Sequence, residues 1–213
     1  ESDVISTQTD DITVAAGKTE TISQSVDVAN PKLWSVDSPN LYWVRTEIIQ
    51  NGKVVDRTDS RFGIRYIATN PNSGFYLNGV HTKLNGVCEH SDLGSLGMET
   101  YQAAVDRRIR TLKKYGVNAI RTSHNPVSPE FIEACDRLGM LVFEEAFDQW
   151  LYSKNSDDYH NYFNKAADGK TVVFDKAGND NTNNDTSYIE VKREDLQSNA
   201  ERDIKAMVDR DKN

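Results

Sequence analysis

The sequence predicts a multidomain β plus α/β chain. Part of an immunoglobulin-like β-sandwich spans residues 1–67, and the first three βα units of a (β/α)8 TIM barrel span residues 68–213. Three observations carry this reading. Period-two apolar alternation fills the first third of the chain. From Phe75 onward the pattern becomes strand, helix, strand, helix, strand, long loop, helix. Charged and imidazole side chains then gather at the carboxyl end of each strand predicted to be parallel.

In the first part, Ile12 and Val14 alternate with polar neighbours until Gly17 breaks the run. Ile22, Val26 and Val28 follow at even spacing, as one buried strand face requires, and Asn30-Pro31 ends them. Leu41 to Ile49 is rich in aromatic and β-branched residues and predicts a strong strand. Asn51-Gly52 supplies the positive φ angles of a type I′ hairpin turn, Val54-Val55 begins the return strand, and residues 62–67 read as the last strand. About four or five strands fall short of the roughly seven that a complete immunoglobulin-like domain needs, so the sandwich is expected to lack its first strands.

In the second part, Phe75-Tyr76-Leu77 and Thr82-Lys83-Leu84 flank Asn78-Gly79 as a hairpin, the later strand running on to Glu89-His90. Tyr101 to Tyr115 predicts a helix, because Val105, Ile109 and Leu112 form one apolar stripe and Gly116 is a natural stop. Val117 to Ile120 is a strand whose one polar member is Asn118, the pattern of burial on both faces. Ser128-Pro129-Glu130 starts a helix with a capping hydroxyl, a proline that loses no needed donor, and an acid at the positive end. Gly139 closes that helix and Met140 to Phe143 is the next strand. Leu196, Ala200, Ile204 and Met207-Val208 make the stripe of a third helix. The polar segment from Leu151 to Ser187 is too long for an ordinary connection and reads as an active-site loop or a mobile insertion. Within it, residues 179–185 are least able to bury anything, and their oxygens lack the ordered spacing of a calcium loop.

A formal net charge of -8 and a pI near 5.0 disfavour nucleic acid and anionic membranes as partners. No apolar run reaches the roughly 18 residues of a membrane span, which predicts a soluble chain. The chain opens on Glu1 without methionine or an apolar leader, as a processed protein or an excised piece would. Cys88 and Cys135 fit neither a CxxC nor a metal spacing. Cys135, on the apolar side of a helix, reads as a buried free thiol, and the compartment stays open.

Three clusters carry the chemistry: Glu89-His90-Ser91-Asp92, Arg121-Thr122-Ser123-His124, and Glu144-Glu145 with Asp148. The carboxyl ends of parallel barrel strands converge on one face, where barrel enzymes place their sites. The plainer reading of His90 and His124 is a satisfied, partly buried ring. The plainer reading of Arg121 is an ion pair with Glu144 or Glu145. A metal reading lacks an HxH or HExxH spacing.

The stretch from Asn118 to Phe143 closely resembles the first signature of glycoside hydrolase family 2, the β-galactosidase, β-glucuronidase and β-mannosidase group. Asn118, Ile120, Arg121, Thr122, Ser123, His124, Asn125 and Pro126, then Asp136, Gly139 and Met140 to Phe143, follow its order. Asn125 stands where tyrosine is usual. Leu33-Trp34-Ser35, Ser38-Pro39-Asn40-Leu41-Tyr42 and Phe62-Gly63-Ile64-Arg65 resemble the later part of the family's immunoglobulin-like domain. The resemblance thus covers essentially the whole chain.

The resemblance implies a retaining glycosidase acting on a terminal β-linked sugar, β-galactoside first, with β-glucuronidase and β-mannosidase as alternatives. It implies a carbohydrate partner, and it leaves room for a homo-oligomeric, extracytoplasmic whole protein. His90, in the context Gly86-Val87-Cys88-Glu89-His90, and His124 would bind the terminal sugar, since imidazole both donates to and accepts from hydroxyls. Arg121 would lie beside the nucleophile and orient it. Asp148 would bind hydroxyls and Trp150 would offer a platform to a sugar face, with plain packing the rival for Trp150. Glu89, Asn125 and Glu145 would support them. Some members hold magnesium nearby, but Gln149 stands at or near the relevant glutamate, so no cofactor is assigned and magnesium or sodium is left to the whole protein. A retaining mechanism needs two carboxyls roughly 5 Å apart. The family's two glutamates match no position in these 213 residues. Glu144 and Glu145 match a different element and are not read as that pair. The chain alone is therefore expected to be inactive and, with an open parallel sheet edge, poorly stable. A non-catalytic carbohydrate-binding module is the rival, and a metal-dependent barrel hydrolase a third reading.

Overall fold

A computed structural model describes residues 4–146, 172–175, 188–191 and 193–211. Asp148, Gln149, Trp150 and the tip at residues 179–185 lie outside the described residues.

The strong strand and its return form a long antiparallel hairpin, β1 (Tyr42–Gln50) and β2 (Lys53–Phe62). Asn51 and Gly52 turn it with φ of 52° and 73°, the left-handed values that an asparagine-glycine pair tolerates. The strand expected at residues 62–67 does not form. β2 runs unbroken to Phe62, and the next four residues fold over Trp34 instead. The strands expected at Ile12–Val14 and Ile22–Val28 carry no ladder either: Ile12, Val14, Ile22 and Val26 are 47–48% exposed. An alternating sequence becomes a strand only beside a partner, and none of the described residues pairs with these runs.

A second antiparallel sheet has the order β3 (Ile67–Asn70), β4 (Gly74–Leu77), β5 (Val80–His81). Asn78 and Gly79 turn β4 into β5 as expected from the sequence, with φ of 53° and 78°. The later strand does not run through to His90, since β6 (Gly86–Glu89) is a separate element.

β6, β7 (Ala119–Thr122) and β8 (Leu141–Phe143) form a parallel sheet in that order. Helix α1 (Gln102–Lys114) joins β6 to β7, and α2 (Pro129–Leu138) joins β7 to β8. Ser128 caps α2, its Oγ accepting from Phe131 N, and Gly139 ends it in the left-handed region. The core lies between this sheet and the two helices: Val105, Ile109, Ile120, Phe131, Ala134, Cys135 and Met140. Register sets Val87, Ile120 and Val142 in one row toward that core. The neighbouring row, Cys88, Arg121 and Phe143, faces away and is exposed. The expectation of burial on both faces of β7 is therefore met on the helix side alone. In a barrel the other face is covered by strands across the lumen.

Asn118 closes the lower end of the sheet, its Nδ2 donating to Lys83 O and its Oδ1 accepting from Asn85 N, both at 2.8 Å. Within the long polar segment, β9 (Val172–Asp175) pairs with β10 (Tyr188–Val191), and α3 (Arg193–Asp211) follows. On α3, Ala200, Ile204 and Met207 are half-buried, whereas Val208 is exposed.

The two parts meet at Trp34, which is 2% exposed. Its Nε1 donates to Asp136 O at 2.7 Å, and the Arg65 guanidinium lies 5.2 Å above its ring. A Cβ on Gly63 would stand 3.1 Å from that side chain, so the indole fits because residue 63 is glycine.

Candidate functional site

The three strand ends meet in one place. Glu145, two residues beyond β8, holds two neighbours from β7 and the loop after it. Its Oε1 accepts from Arg121 Nε at 2.5 Å, and Arg121 Nη2 forms an ion pair with the same oxygen at 2.5 Å. Its Oε2 lies 2.6 Å from His124 Nδ1. Glu145 N donates to the buried Thr122 Oγ1 at 3.0 Å, which fixes the backbone that carries the carboxylate. The His90 ring meets His124 edge to face, with centroids 5.7 Å apart and an interplanar angle of 87°. Arg121 Nη1 also reaches Cys88 Sγ at 3.5 Å. Hydrogen bonds from His124 and then Arg121 hold the Glu145 carboxyl below the usual carboxylate range against the desolvation that opposes them.

The remaining expected residues are disposed around this centre. Glu89 pairs with Arg108 of α1 at 2.8 Å. The same guanidinium donates to Asp92 O. Asn125 is half-buried and donates to Pro126 O at 2.9 Å, a contact within its own turn. Glu144 and Glu145, adjacent in sequence, point to opposite sides. Glu144 faces the end of α3, where its Oε1 accepts from Val127 N and from Arg210 Nη2, both at 3.2 Å. Burial and then a hydrogen bond shared with Asp211 push the Glu144 carboxyl up to about 7. Two carboxylates facing apart do not act on one bond.

Nothing in the sequence singles out Arg210 and Asp211 as partners of Glu144. Only the fold of α3 brings them there. An acid and a base ending an amphipathic helix are too common a pattern to flag them. Cys88, in register with Arg121 on the lumen face, is equally hidden, since a lone thiol outside any motif carries no signal. No three His, Cys, Asp or Glu side chains converge as a metal site among the described residues. Both oxygens of Glu145 are already committed to Arg121 and His124, so the described residues do not fit a magnesium ion. No helix among the described residues is long and apolar enough to cross a membrane.

Residues 69–213 match the family model "Glycosyl hydrolases family 2, TIM barrel domain", and residues 1–65 match "Glycosyl hydrolases family 2". This chain belongs to glycosyl hydrolase family 2. A β-galactosidase of Bacteroides ovatus is 44% identical over 150 residues, which is 70% of this chain and 18% of that protein. A β-glucuronidase of Bacteroides fragilis is 32% identical over 119 residues, covering 55% of this chain and 17% of that protein. Among solved structures, a family 2 member from Bacteroides cellulosilyticus aligns with a TM-score of 0.60 at 48% identity, over 66% of this chain and 18% of that one. The chain thus spans less than a fifth of the length of these relatives. The family match places the β1–β2 hairpin region in an immunoglobulin-like domain and the β6-β7-β8 sheet with its helices in part of a TIM barrel.

Proposed function

We propose that these residues form one wall of the sugar-binding site of a retaining glycosidase acting on a terminal β-linked sugar, β-galactoside first. The observation that carries this is the join of Arg121, His124 and Glu145 at the carboxyl edge of a parallel sheet, with His90 against His124. Two imidazoles held edge to face on an open face offer hydrogen bonds of either polarity to a polyol. His90, His124 and Arg121 form the wall; Glu89, Asn125 and Glu145 hold it. Asp148 and Trp150 would extend it, as a hydroxyl ligand and an apolar platform. The two glutamates of double displacement would come from other parts of the whole protein, and the 213 residues alone would turn over nothing.

A neutral sugar suits this wall better than a uronate. The guanidiniums paired with acids at the strand ends are already taken: Arg121 has Glu145, Arg108 of α1 has Glu89, and Arg210 of α3 has Glu144 and Asp211. None of these is left to meet a substrate carboxylate. Against this, the Bacteroides fragilis relative is a β-glucuronidase, so the sugar is for experiment to decide. The whole protein should be assayed with chromogenic aryl β-galactoside, β-glucuronide and β-mannoside. We expect the galactoside to give the highest kcat/KM. A preference for the glucuronide would overturn the sugar assignment, and turnover of none of the three would overturn the glycosidase reading in favour of a carbohydrate-binding module.

A further inference from the structure

We propose that Glu145 is a positioning residue that fixes the tautomer of His124, making His124 Nε2 a hydrogen-bond acceptor for one hydroxyl of the bound sugar. This rests on the sugar-wall reading above and adds the direction of one hydrogen bond to it.

Lone pairs set the direction of this hydrogen bond. His124 Nδ1 stands 2.6 Å from Glu145 Oε2. A carboxylate oxygen only accepts, so at that separation Nδ1 must carry the proton. The 3.5 Å approach of Arg121 Nη2 to the same nitrogen is then a contact between two donors and not a hydrogen bond. In the neutral ring, a proton on Nδ1 leaves Nε2 bare. No partner is found for Nε2 among the described residues, and the ring is half-buried at the open face. Glu145 cannot easily turn away. Arg121 holds its other oxygen with a hydrogen bond from Nε and an ion-pair contact from Nη2, and Thr122 holds its backbone. The hydrogen bond from His124 is also the largest influence keeping the Glu145 carboxyl ionised.

This geometry makes Glu145→Gln more informative than a deletion. Arg121 Nε donates to one oxygen position, and its Nη2 stands against the same atom, so the glutamine amide oxygen goes there and its NH2 faces His124. Nδ1 must then accept, and the ring proton moves to Nε2. One substitution of nearly equal shape thereby inverts the polarity offered to the sugar.

Two measurements on the whole protein test this. The first needs no turnover: neutron diffraction of deuterium-exchanged crystals of the wild type and Glu145→Gln. We expect deuterium on Nδ1 of His124 in the wild type and on Nε2 in the variant. Deuterium on Nε2 in the wild type, with or without deuterium on Nδ1, or the same pattern in both proteins, overturns the proposal whether or not the protein is a glycosidase. The second uses aryl β-galactosides with hydrogen or fluorine replacing the hydroxyl at position 3, 4 or 6. Fluorine accepts but does not donate. At one position the wild type should lose kcat/KM equally for the deoxy and fluoro substrates, because the lost group was a donor. In Glu145→Gln the fluoro substrate should gain on the deoxy substrate by up to about tenfold, the worth of one neutral hydrogen bond. A fluoro-to-deoxy ratio unchanged at all three positions would mean that Glu145 merely supports the fold.

Discussion

Trp34 is buried to 2%, yet three of its contacts reach different parts of the chain: Asp136 O, the Arg65 guanidinium and Asn78, whose Nδ2 donates to Trp34 O at 2.9 Å. Replacing a buried indole by alanine costs the transfer of a large apolar surface and leaves a cavity. Trp34→Ala should therefore destabilise the chain by roughly 3–5 kcal/mol, read as a shift in the denaturant midpoint. Gly139 and Gly116 give a sharper contrast. Both have positive φ, 77° and 83°, so a methyl group at either costs about 1–2 kcal/mol of backbone strain. A Cβ at Gly139 would also sit 2.2 Å from Val36 O, whereas one at Gly116 meets nothing within 4 Å. Gly139→Ala should accordingly destabilise well beyond Gly116→Ala, and equal midpoint shifts would show that the chain around Val36 moves freely. At the strand ends, single residues were legible in part. Arg121, His124 and Glu145 could be named from the sequence because strand ends project side chains in a known direction. Which acid Arg121 would take was open between Glu144 and Glu145. Alternation along the chain after β8 decides it, sending Glu145 to the lumen and Glu144 toward α3.

The elements whose contacts are local were readable in the sequence, and those that depend on distant partners were not. α1, α2 and the Asn51-Gly52 and Asn78-Gly79 turns carry their own instructions: a periodic stripe, a capping serine, a glycine stop, a left-handed pair. The runs around Ile12 and Ile22 carry equally clear alternation, but a strand exists only against a neighbour. The end of α3 was invisible for the same reason, because the Glu144, Asp211 and Arg210 cluster joins the residue after β8 to a helix end some 66 positions later. That cluster makes a pH prediction. A carboxyl whose pKa is raised on folding makes the folded chain bind more protons than the unfolded chain between the two values, so stability falls as pH rises through that window. For Glu144 the window runs from the ordinary 4.5 up to about 7, and for Asp136, raised mainly by burial, from 3.8 to about 6. Depressed groups such as Glu145 and Asp106 act with the opposite sign, losing their contribution as pH falls below the ordinary carboxylate range. The melting temperature should thus decline between about pH 4.5 and 7. Glu144→Gln should flatten the upper part of that decline, and a wild-type slope in the variant would mean that Glu144 is ionised in the fold.

At the largest scale, the described residues form a hairpin-bearing β part keyed by Trp34 onto a three-stranded parallel sheet whose one face is covered by helices. The open row Cys88, Arg121 and Phe143, with Phe143 70% exposed, is what a barrel lumen looks like before the strands opposite close it. Among the described residues β8 pairs on one side only and Phe143 is exposed, features that favour association or further pairing, so the 213 residues alone should melt at lower temperature than the whole protein and should bind a dye that reports exposed apolar surface. The fold class was legible at this scale because the change from period two to alternating strand and helix is a property of long windows, insensitive to any one residue. The sugar was not legible, because imidazoles offer hydrogen bonds of either polarity and do not by themselves select one stereochemistry. In the function proposed above, the ledge formed by Arg121, His124 and Glu145 grips the terminal sugar during turnover. The measurement that tests it most directly is kcat/KM of the whole protein on its best chromogenic aryl β-glycoside, wild type against His124→Ala, with matched melting curves. We expect a fall of roughly 10- to 100-fold, the loss of one or two hydrogen bonds in the transition state, with the melting temperature little changed. An unchanged kcat/KM would contradict the account and return His124 to the role of a packed ring at a strand end.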